Sequence, residues 1–201
     1  MPQNENSFSA LLDEAKITEE ERHKIIIRTR ADILRQAKKL NKLMNNCNIG
    51  TEQRVVYVSG MLLSMQDVVD EEGRVIDVGL TPEDLKGIQT PQKRDSILII
   101  NHLEEYLGQK KIKPEKKEIM IEQFKNSISL DSGRDATTKV DKLVGELLSA
   151  KSSITKQVFA FLYHYVYLEI DLTQGALDIM AEMYSTFLKY ALSDGASLGK
   201  V

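Results

Sequence analysis

Two short motifs in this chain place residues that could do chemistry at recognisable spacings. Ser153 and Lys156 match the Ser-x-x-Lys motif of some acyl-transfer enzymes, in which the amine lies one helical turn from the nucleophile. Because no Ser-Asp-Asn or Lys-Thr-Gly partner motif accompanies them, we predict that Ser153 caps a helix instead. The segment from Gly195 to Lys200 resembles a phosphate-binding loop, but three residues instead of four separate its glycines and no Ser or Thr follows the lysine. Neither motif predicts catalysis.

The residues that most often bind metals or act as nucleophiles are scattered along the chain. His23, His102 and His164 each lack a His, Cys or carboxylate partner at a spacing that would close a metal site, so surface or packing roles are predicted for all three. Cys47 is the single cysteine and has no cationic cluster beside it in sequence, which predicts an unreactive thiol. The sequence therefore predicts no catalytic, cofactor-binding or metal-binding residues.

A stripe of basic residues on one predicted helix is the strongest candidate for contact with DNA phosphates. Spacings of three, four and seven place five residues on one helical face: Lys24, Arg28, Arg35, Lys39 and Lys42. At about 1.5 Å per residue the stripe would extend for about 27 Å, enough to follow part of a phosphate backbone. A helix that buries one face also commonly carries Lys and Arg on the other, so a solvated face is the alternative. A second basic cluster at 109–117 has the same two interpretations.

Two segments of the chain resemble parts of a known protein family. The segment 178–201, DIMAEMYSTFLKYALSDGASLGKV, resembles the stretch that leads into the catalytic domain of N6-adenine DNA methyltransferases of type I restriction-modification systems. The segment 58–67, VSGMLLSMQD, resembles a short helix located upstream in the same proteins. With the helices between these segments, the resemblance extends over most of the chain from about Asp32.

The resemblance implies the amino-terminal helical domain of a modification subunit. Such a domain helps to enclose DNA and contacts the specificity and restriction subunits and its own carboxyl-terminal methyltransferase domain. Transfer of a methyl group from S-adenosylmethionine to a flipped-out adenine would then belong to the full-length protein. The chain lacks a glycine-rich cofactor loop and an Asn-Pro-Pro-Phe or Asn-Pro-Pro-Tyr motif, so we expect a fragment without the active site. The alternative is a self-contained α-helical protein-interaction module, such as an adaptor or a phage-defence accessory protein.

Composition restricts the class of protein. The 201 residues suit one domain, and 42% hydrophobic and 28% charged residues with four prolines are typical of a helix-rich globular chain. A net charge of −3 argues against a dedicated nucleic-acid binder but permits a positive patch on one face. The single cysteine fits a reducing cytoplasm, and residues 1–16 lack the pattern of a secretory signal. The longest apolar run, Val158 to Leu168, is too short and too polar to span a membrane.

Hydrophobic periodicity predicts an all-α fold, a single bundle of about seven helices. The predicted domain limits are a flexible amino terminus with a short helix at 1–17, the helical domain at 18–193 and a linker toward a missing catalytic domain at 194–201. Helices are predicted over 18–46, 51–65, 91–108, 114–128, 137–147, 154–170 and 173–192, with a small hairpin near 68–78. The small residues Ser59 and Gly60 are expected to let a neighbouring helix approach closely.

Overall fold

The computed structural model describes residues 19–149 and 151–171, and for 19–30, 33, 170 and 171 it describes the backbone alone. These residues form five helices and three small sheets. The helices are α1 (Glu19–Asn46), α2 (Thr51–Ser64), α3 (Asp95–Gly108), α4 (Pro114–Ile128) and α5 (Ile154–Leu162). The last of them continues through a π-helical stretch, Tyr163–Tyr167, into a final turn, Leu168–Asp171.

Each sheet consists of two antiparallel strands. The pairs are β1 (Val68–Val69) with β2 (Val75–Asp77), β3 (Ile88–Thr90) with β4 (Lys93–Arg94), and β5 (Thr137–Lys139) with β6 (Lys151–Ser153). The prediction of an all-α bundle of about seven helices is therefore wrong. The fold is a helical core with three hairpin-like additions. The hairpin predicted near 68–78 is present as β1 and β2.

The predicted helix over 137–147 is replaced by β5 and a single 3₁₀ turn, Lys142–Val144. The β-branched residues Thr137 and Thr138 suit an extended strand, and they pair with Ser153 and Ser152 of β6. The Asp141 carboxylate then accepts a hydrogen bond from the Leu143 amide at 2.8 Å, which caps the short turn. The regularly spaced apolar residues that predicted a helix instead pack into the core from this turn and from the loop after it.

The helix predicted to begin at Pro91 begins four residues later, at Asp95. Thr90 instead ends β3, and Pro91 and Gln92 form the turn to β4, where the Thr90 hydroxyl accepts a hydrogen bond from the Lys93 amide at 3.0 Å. A threonine followed by proline suits a turn as well as a helix start, so the dipeptide alone does not distinguish the two.

The first helix ends as its sequence predicts. Asn48 adopts a left-handed conformation with φ of 56°, and the Ile49 amide donates to the Met44 carbonyl at 2.9 Å, which closes the helix end. Arg54 of α2 reaches back across this turn and donates to the Ile49 carbonyl at 3.0 Å and to the Asn41 side chain at 2.7 Å. This buried guanidinium links α2 to the end of α1.

Helix α2 lies in the centre of the core, packed against α3, α4 and α5. Its buried apolar residues include Tyr57, Val58, Met61 and Leu62. A Cβ atom at Gly60 would lie 2.5 Å from Ile128 Cδ1, so the absence of a side chain lets α4 approach closely, as the sequence predicts.

The predicted helix over 173–192 and the predicted limits at 1–17 and 194–201 lie outside the described residues and stay predictions. In the part of the chain that the structure describes, no helix is both long and apolar enough to cross a membrane.

Candidate functional site

Three members of the predicted basic stripe have described side chains. Arg35, Lys39 and Lys42 are exposed on α1, whereas Lys24 and Arg28 lie where the structure describes only the backbone. The Arg35 guanidinium donates to the Asp32 carboxylate at 2.5 Å, so its charge is partly compensated by an exposed neighbour. The stripe as a continuous DNA contact therefore stays a prediction.

Lys42, at the carboxyl end of the stripe, borders an open groove of about 460 Å³. The groove lies between the last turn of α1, the strand β5 with the 3₁₀ turn after it, and the first turn of α5. Three lysines line it, namely Lys42, Lys139 and Lys142, and all three are exposed. We call this feature the basic groove. Sequence analysis missed Lys139 and Lys142, because it placed them on a helix that does not form.

The charges around the basic groove are unbalanced. Asp141 is the single carboxylate among the lining residues, against three lysines, although the whole chain carries a net charge of −3. Lys139 also lies directly opposite Lys151 in the β5–β6 ladder, an arrangement that like-charge repulsion disfavours. No ion pair among the described residues involves Lys42, Lys139 or Lys142. The groove therefore has a local excess of positive charge.

The single carboxylate of the groove is already occupied by hydrogen bonds within the chain. Asp141 Oδ2 accepts from the Asn46 side-chain amide at 2.8 Å, and Oδ1 accepts from the Leu143 amide at 2.8 Å. The first bond ties the loop after β5 to the end of α1. Asp141 thus acts as a structural anchor, and it leaves the lysines to face solvent.

Buried Gln157 of α5 holds the other side of the same loop. Its side-chain carbonyl accepts from the Asp141 amide at 2.8 Å, and its amide donates to the Lys139 carbonyl at 3.1 Å and to the Ser152 carbonyl at 3.4 Å. One side chain therefore contacts β5, β6 and the loop between them. The backbone that carries two of the three lysines is fixed before any ligand binds, which lowers the entropic cost of binding.

Cys47 lies in the wall of the basic groove but is not a nucleophile. The side chain is buried, and burial, together with the nearby Asp141 carboxylate, raises the pKa of the thiol to about 11, against a smaller opposing effect of Arg134. The thiol is therefore neutral at physiological pH, in agreement with the sequence prediction.

Ser153 of the Ser-x-x-Lys motif caps α5, as predicted. Its hydroxyl accepts from the Lys156 amide at 2.9 Å and donates to the Asp95 carboxylate at 2.5 Å. Both Ser153 and Asp95 are buried, so no substrate reaches the hydroxyl. Burial raises the pKa of Asp95, and the hydrogen bonds from Ser153 and the Gly87 amide act against that shift.

A second buried carboxylate lies beside this pair and belongs to the fold. Asp135 is fully buried and accepts four hydrogen bonds. The donors are Arg94 Nη1 at 2.6 Å, the Ser96 hydroxyl at 2.5 Å, the Ser96 amide at 3.2 Å and the Thr155 hydroxyl at 2.6 Å. These donors come from β4, α3 and α5, so Asp135 joins three elements at one point. Every acceptor site that it uses is directed into the protein, which indicates a structural role.

Two of the three histidines have described side chains, and neither belongs to a group of three possible metal ligands. His102 is buried between Asp77 and the carbonyl of Gln66, and His164 is partly exposed and packs edge-on against Tyr163 at 5.3 Å between ring centroids. In the described ranges, no three His, Cys, Asp or Glu side chains are grouped so as to hold a metal ion.

Comparison of the chain with protein-family models, with curated proteins and with solved structures finds no match. The resemblance to methyltransferase subunits therefore rests on the two segments that carry it. One of these, 58–67, covers the end of α2 and the turn that precedes β1, and the other, 178–201, lies outside the described residues.

Proposed function

We propose that this protein is a binding domain that holds the phosphate backbone of DNA in the basic groove. The observation that carries the proposal is the convergence of Lys42 of α1 with Lys139 and Lys142, which lie nearly a hundred residues later in the chain, on one open groove. Lysine ammonium groups are compact, strongly hydrated charges that contact phosphates without reading base sequence. The groove is thus suited to holding DNA in place and leaves sequence recognition to another module.

The dimensions and rigidity of the groove support this role. Its volume of about 460 Å³ is within the range of ligand-binding clefts, and its openness suits an extended backbone better than a small enclosed ligand. The hydrogen bonds of Asp141 and Gln157 hold the lysine-bearing loop in place. Lys39 is exposed and lies about one turn before Lys42 on α1, so it extends the positive surface away from the groove.

The resemblance gives the proposed domain its context. In a type I modification subunit, a DNA-holding helical region works beside a methyltransferase domain that uses S-adenosylmethionine, and beside specificity and restriction subunits. We propose the same cytoplasmic setting for this chain, with methyl transfer carried out elsewhere in the assembly. The single cysteine is consistent with that compartment.

Neutralising the basic groove tests the proposal. At about 0.15 M salt the variant Lys42→Gln/Lys139→Gln/Lys142→Gln is expected to bind a fluorescent DNA duplex on the order of 100-fold more weakly than the unchanged protein, because three phosphate contacts are lost. The slope of log affinity against log salt should fall in magnitude by about 2.7, at about 0.9 per contact. Fluorescence anisotropy over a range of salt concentrations measures both quantities.

The chain provides a control of equal charge. Lys111, Lys113 and Lys116 are also exposed, lie in the second basic cluster before and within α4, and line no part of the groove. Their triple replacement by Gln removes the same charge from another surface. If both triple variants lose affinity equally, binding follows net charge and the groove has no special role.

Exposed apolar residues on β2 and just after it favour a second candidate function, a protein-interaction module. Val75, Ile76 and Val78 are 53%, 55% and 68% exposed. Contiguous exposed apolar side chains are typical of surfaces that contact other proteins. Replacing Ile76 and Val78 by Thr should abolish capture of a partner subunit and leave DNA affinity unchanged if this hairpin, and not the groove, is the functional surface.

A further inference from the structure

Lys139 and Lys151 form the last pair of the β5–β6 ladder. The first two pairs of this ladder match a Thr with a Ser, whereas the third places two lysines directly opposite each other. Side chains of directly opposed residues lie on the same face of a sheet, with Cβ atoms about 4.5–5.5 Å apart. Both lysines are exposed, and Lys139 lines the basic groove. We call these two residues the lysine pair. Lys151 therefore places a further positive charge beside the groove.

The positive charge of the lysine pair is not neutralised within the described part of the chain. Between residues 136 and 156 the sequence has four lysines and two carboxylates. The Asp141 carboxylate accepts hydrogen bonds from Asn46 and from the Leu143 amide, and Glu146 is exposed. No ion pair among the described residues involves Glu146 or either member of the lysine pair. The repulsion between the two ammonium groups is therefore not offset by a neighbouring carboxylate.

The backbone around the lysine pair is fixed, so the two strands do not move apart to relieve this repulsion. The Gln157 side-chain amide donates to the Lys139 carbonyl at 3.1 Å and to the carbonyl of Ser152, the neighbour of Lys151, at 3.4 Å. Gln157 is 1% exposed, and in such a site water does not compete for its hydrogen bonds. Relief of the repulsion is left to the lysine side chains themselves or to a bound anion.

A phosphate group has the chemistry that this arrangement lacks. Each ammonium group is a compact charge on a flexible stem, so the two can each approach one of the two non-bridging oxygens of the same phosphodiester. The negative charge between them then replaces a repulsion with two attractions. Directly opposed like charges destabilise a sheet, and a local arrangement that opposes folding is expected at functional sites.

We propose that the lysine pair binds one phosphate group, with Lys139 and Lys151 each in contact with it, and that Lys151 is a fourth cation of the basic groove. The second part rests on the proposed function, since the phosphate would then belong to the DNA backbone. A phosphodiester and a free phosphate offer the pair the same chemistry, so the experiment has one arm for each source.

Thermal unfolding of the full chain with inorganic phosphate tests the lysine pair without DNA. In chloride at low salt, Lys151→Gln should raise the midpoint of unfolding by about 1–3 °C, because the repulsion is removed. Replacing chloride by about 20 mM phosphate at equal ionic strength should raise the midpoint of the unchanged protein by about 2–4 °C more than that of Lys139→Gln or Lys151→Gln, for a dissociation constant of about 5 mM. The control Lys111→Gln, outside the groove, should respond to phosphate as the unchanged protein does. Equal phosphate shifts in the unchanged protein and in Lys151→Gln would overturn the proposal.

Fluorescence anisotropy with a DNA duplex separates the two sources of phosphate. If the lysine pair holds a DNA phosphate, Lys151→Gln should weaken binding about fivefold at about 0.15 M salt and lower the salt slope in magnitude by about 0.9, whereas Lys111→Gln should change neither. A loss of affinity in the triple groove variant without a loss in Lys151→Gln would leave DNA in the groove and overturn the assignment of Lys151 to it. If the triple variant keeps its affinity, the proposed function fails, and the phosphate shift alone then decides whether the pair is a site for free phosphate.

Discussion

Replacing Asp135 by Asn is expected to lower the free energy of unfolding by about 3–5 kcal/mol, the usual cost of removing one partner from a buried ion pair. The carboxylate is 0% exposed and accepts hydrogen bonds from Arg94, Ser96 and Thr155. Asparagine has nearly the same shape, but its amide nitrogen would face a donor, and the Arg94 guanidinium would lose its counter-charge. Urea denaturation followed by circular dichroism measures the loss.

The matched control is Asp32→Asn, which breaks an ion pair with Arg35 of similar geometry on the surface. Both side chains of that pair are exposed, so the expected change is at most about 1 kcal/mol. If the two variants lose similar stability, the Asp135 network does not join the elements as described.

Cys47 is expected to react with a thiol reagent about 100-fold more slowly at pH 8 than the same thiol in the unfolded chain. Burial raises its pKa from 9.0 to about 11, so the thiolate fraction at that pH falls from about one in ten to about one in a thousand. The chain has one cysteine, so the rate of labelling in the absence and presence of urea reports this thiol alone. The slow access of the reagent to a buried side chain also lowers the labelling rate of the folded protein.

The pH dependence separates these two causes of slow labelling. Because the pKa is raised, the thiolate fraction of the folded protein should grow about tenfold for each pH unit until the pH nears 11. A labelling rate in the folded protein that equals the unfolded rate at pH 8 would show that Cys47 is neither buried nor shifted. A slow rate that is independent of pH would indicate that access alone limits the reaction.

Local sequence predicted the long helices because their signals are short-range. The apolar spacing of α1 and Pro114 at the start of α4 each act within a few residues of where they occur. The β1–β2 hairpin was also predictable, since two apolar runs flank a polar turn there. The resemblance to methyltransferase subunits is not tested by these features and stays a proposal.

The basic groove could not be predicted from local signals. The segment after Thr137 has an apolar spacing that a helix and an inward-facing loop satisfy equally well, and pairing with β6, about a dozen residues further on, selects the strand. That pairing brings Lys139 and Lys142 to Lys42, which is nearly a hundred residues earlier in the chain. The meeting of lysines from distant parts of the chain depends on tertiary packing, which the spacing of apolar residues in the sequence does not reveal.

The sequence by itself determined where most helices lie, that the chain has one free thiol, and that it lacks recognisable catalytic motifs. Only the tertiary structure decided which polar groups meet, as at Asp135, at His102 and around the basic groove. The physical reason is that helix formation follows from side chains three and four residues apart. A buried carboxylate, or an imidazole that makes two hydrogen bonds, instead needs donors and acceptors that the chain brings together from distant segments.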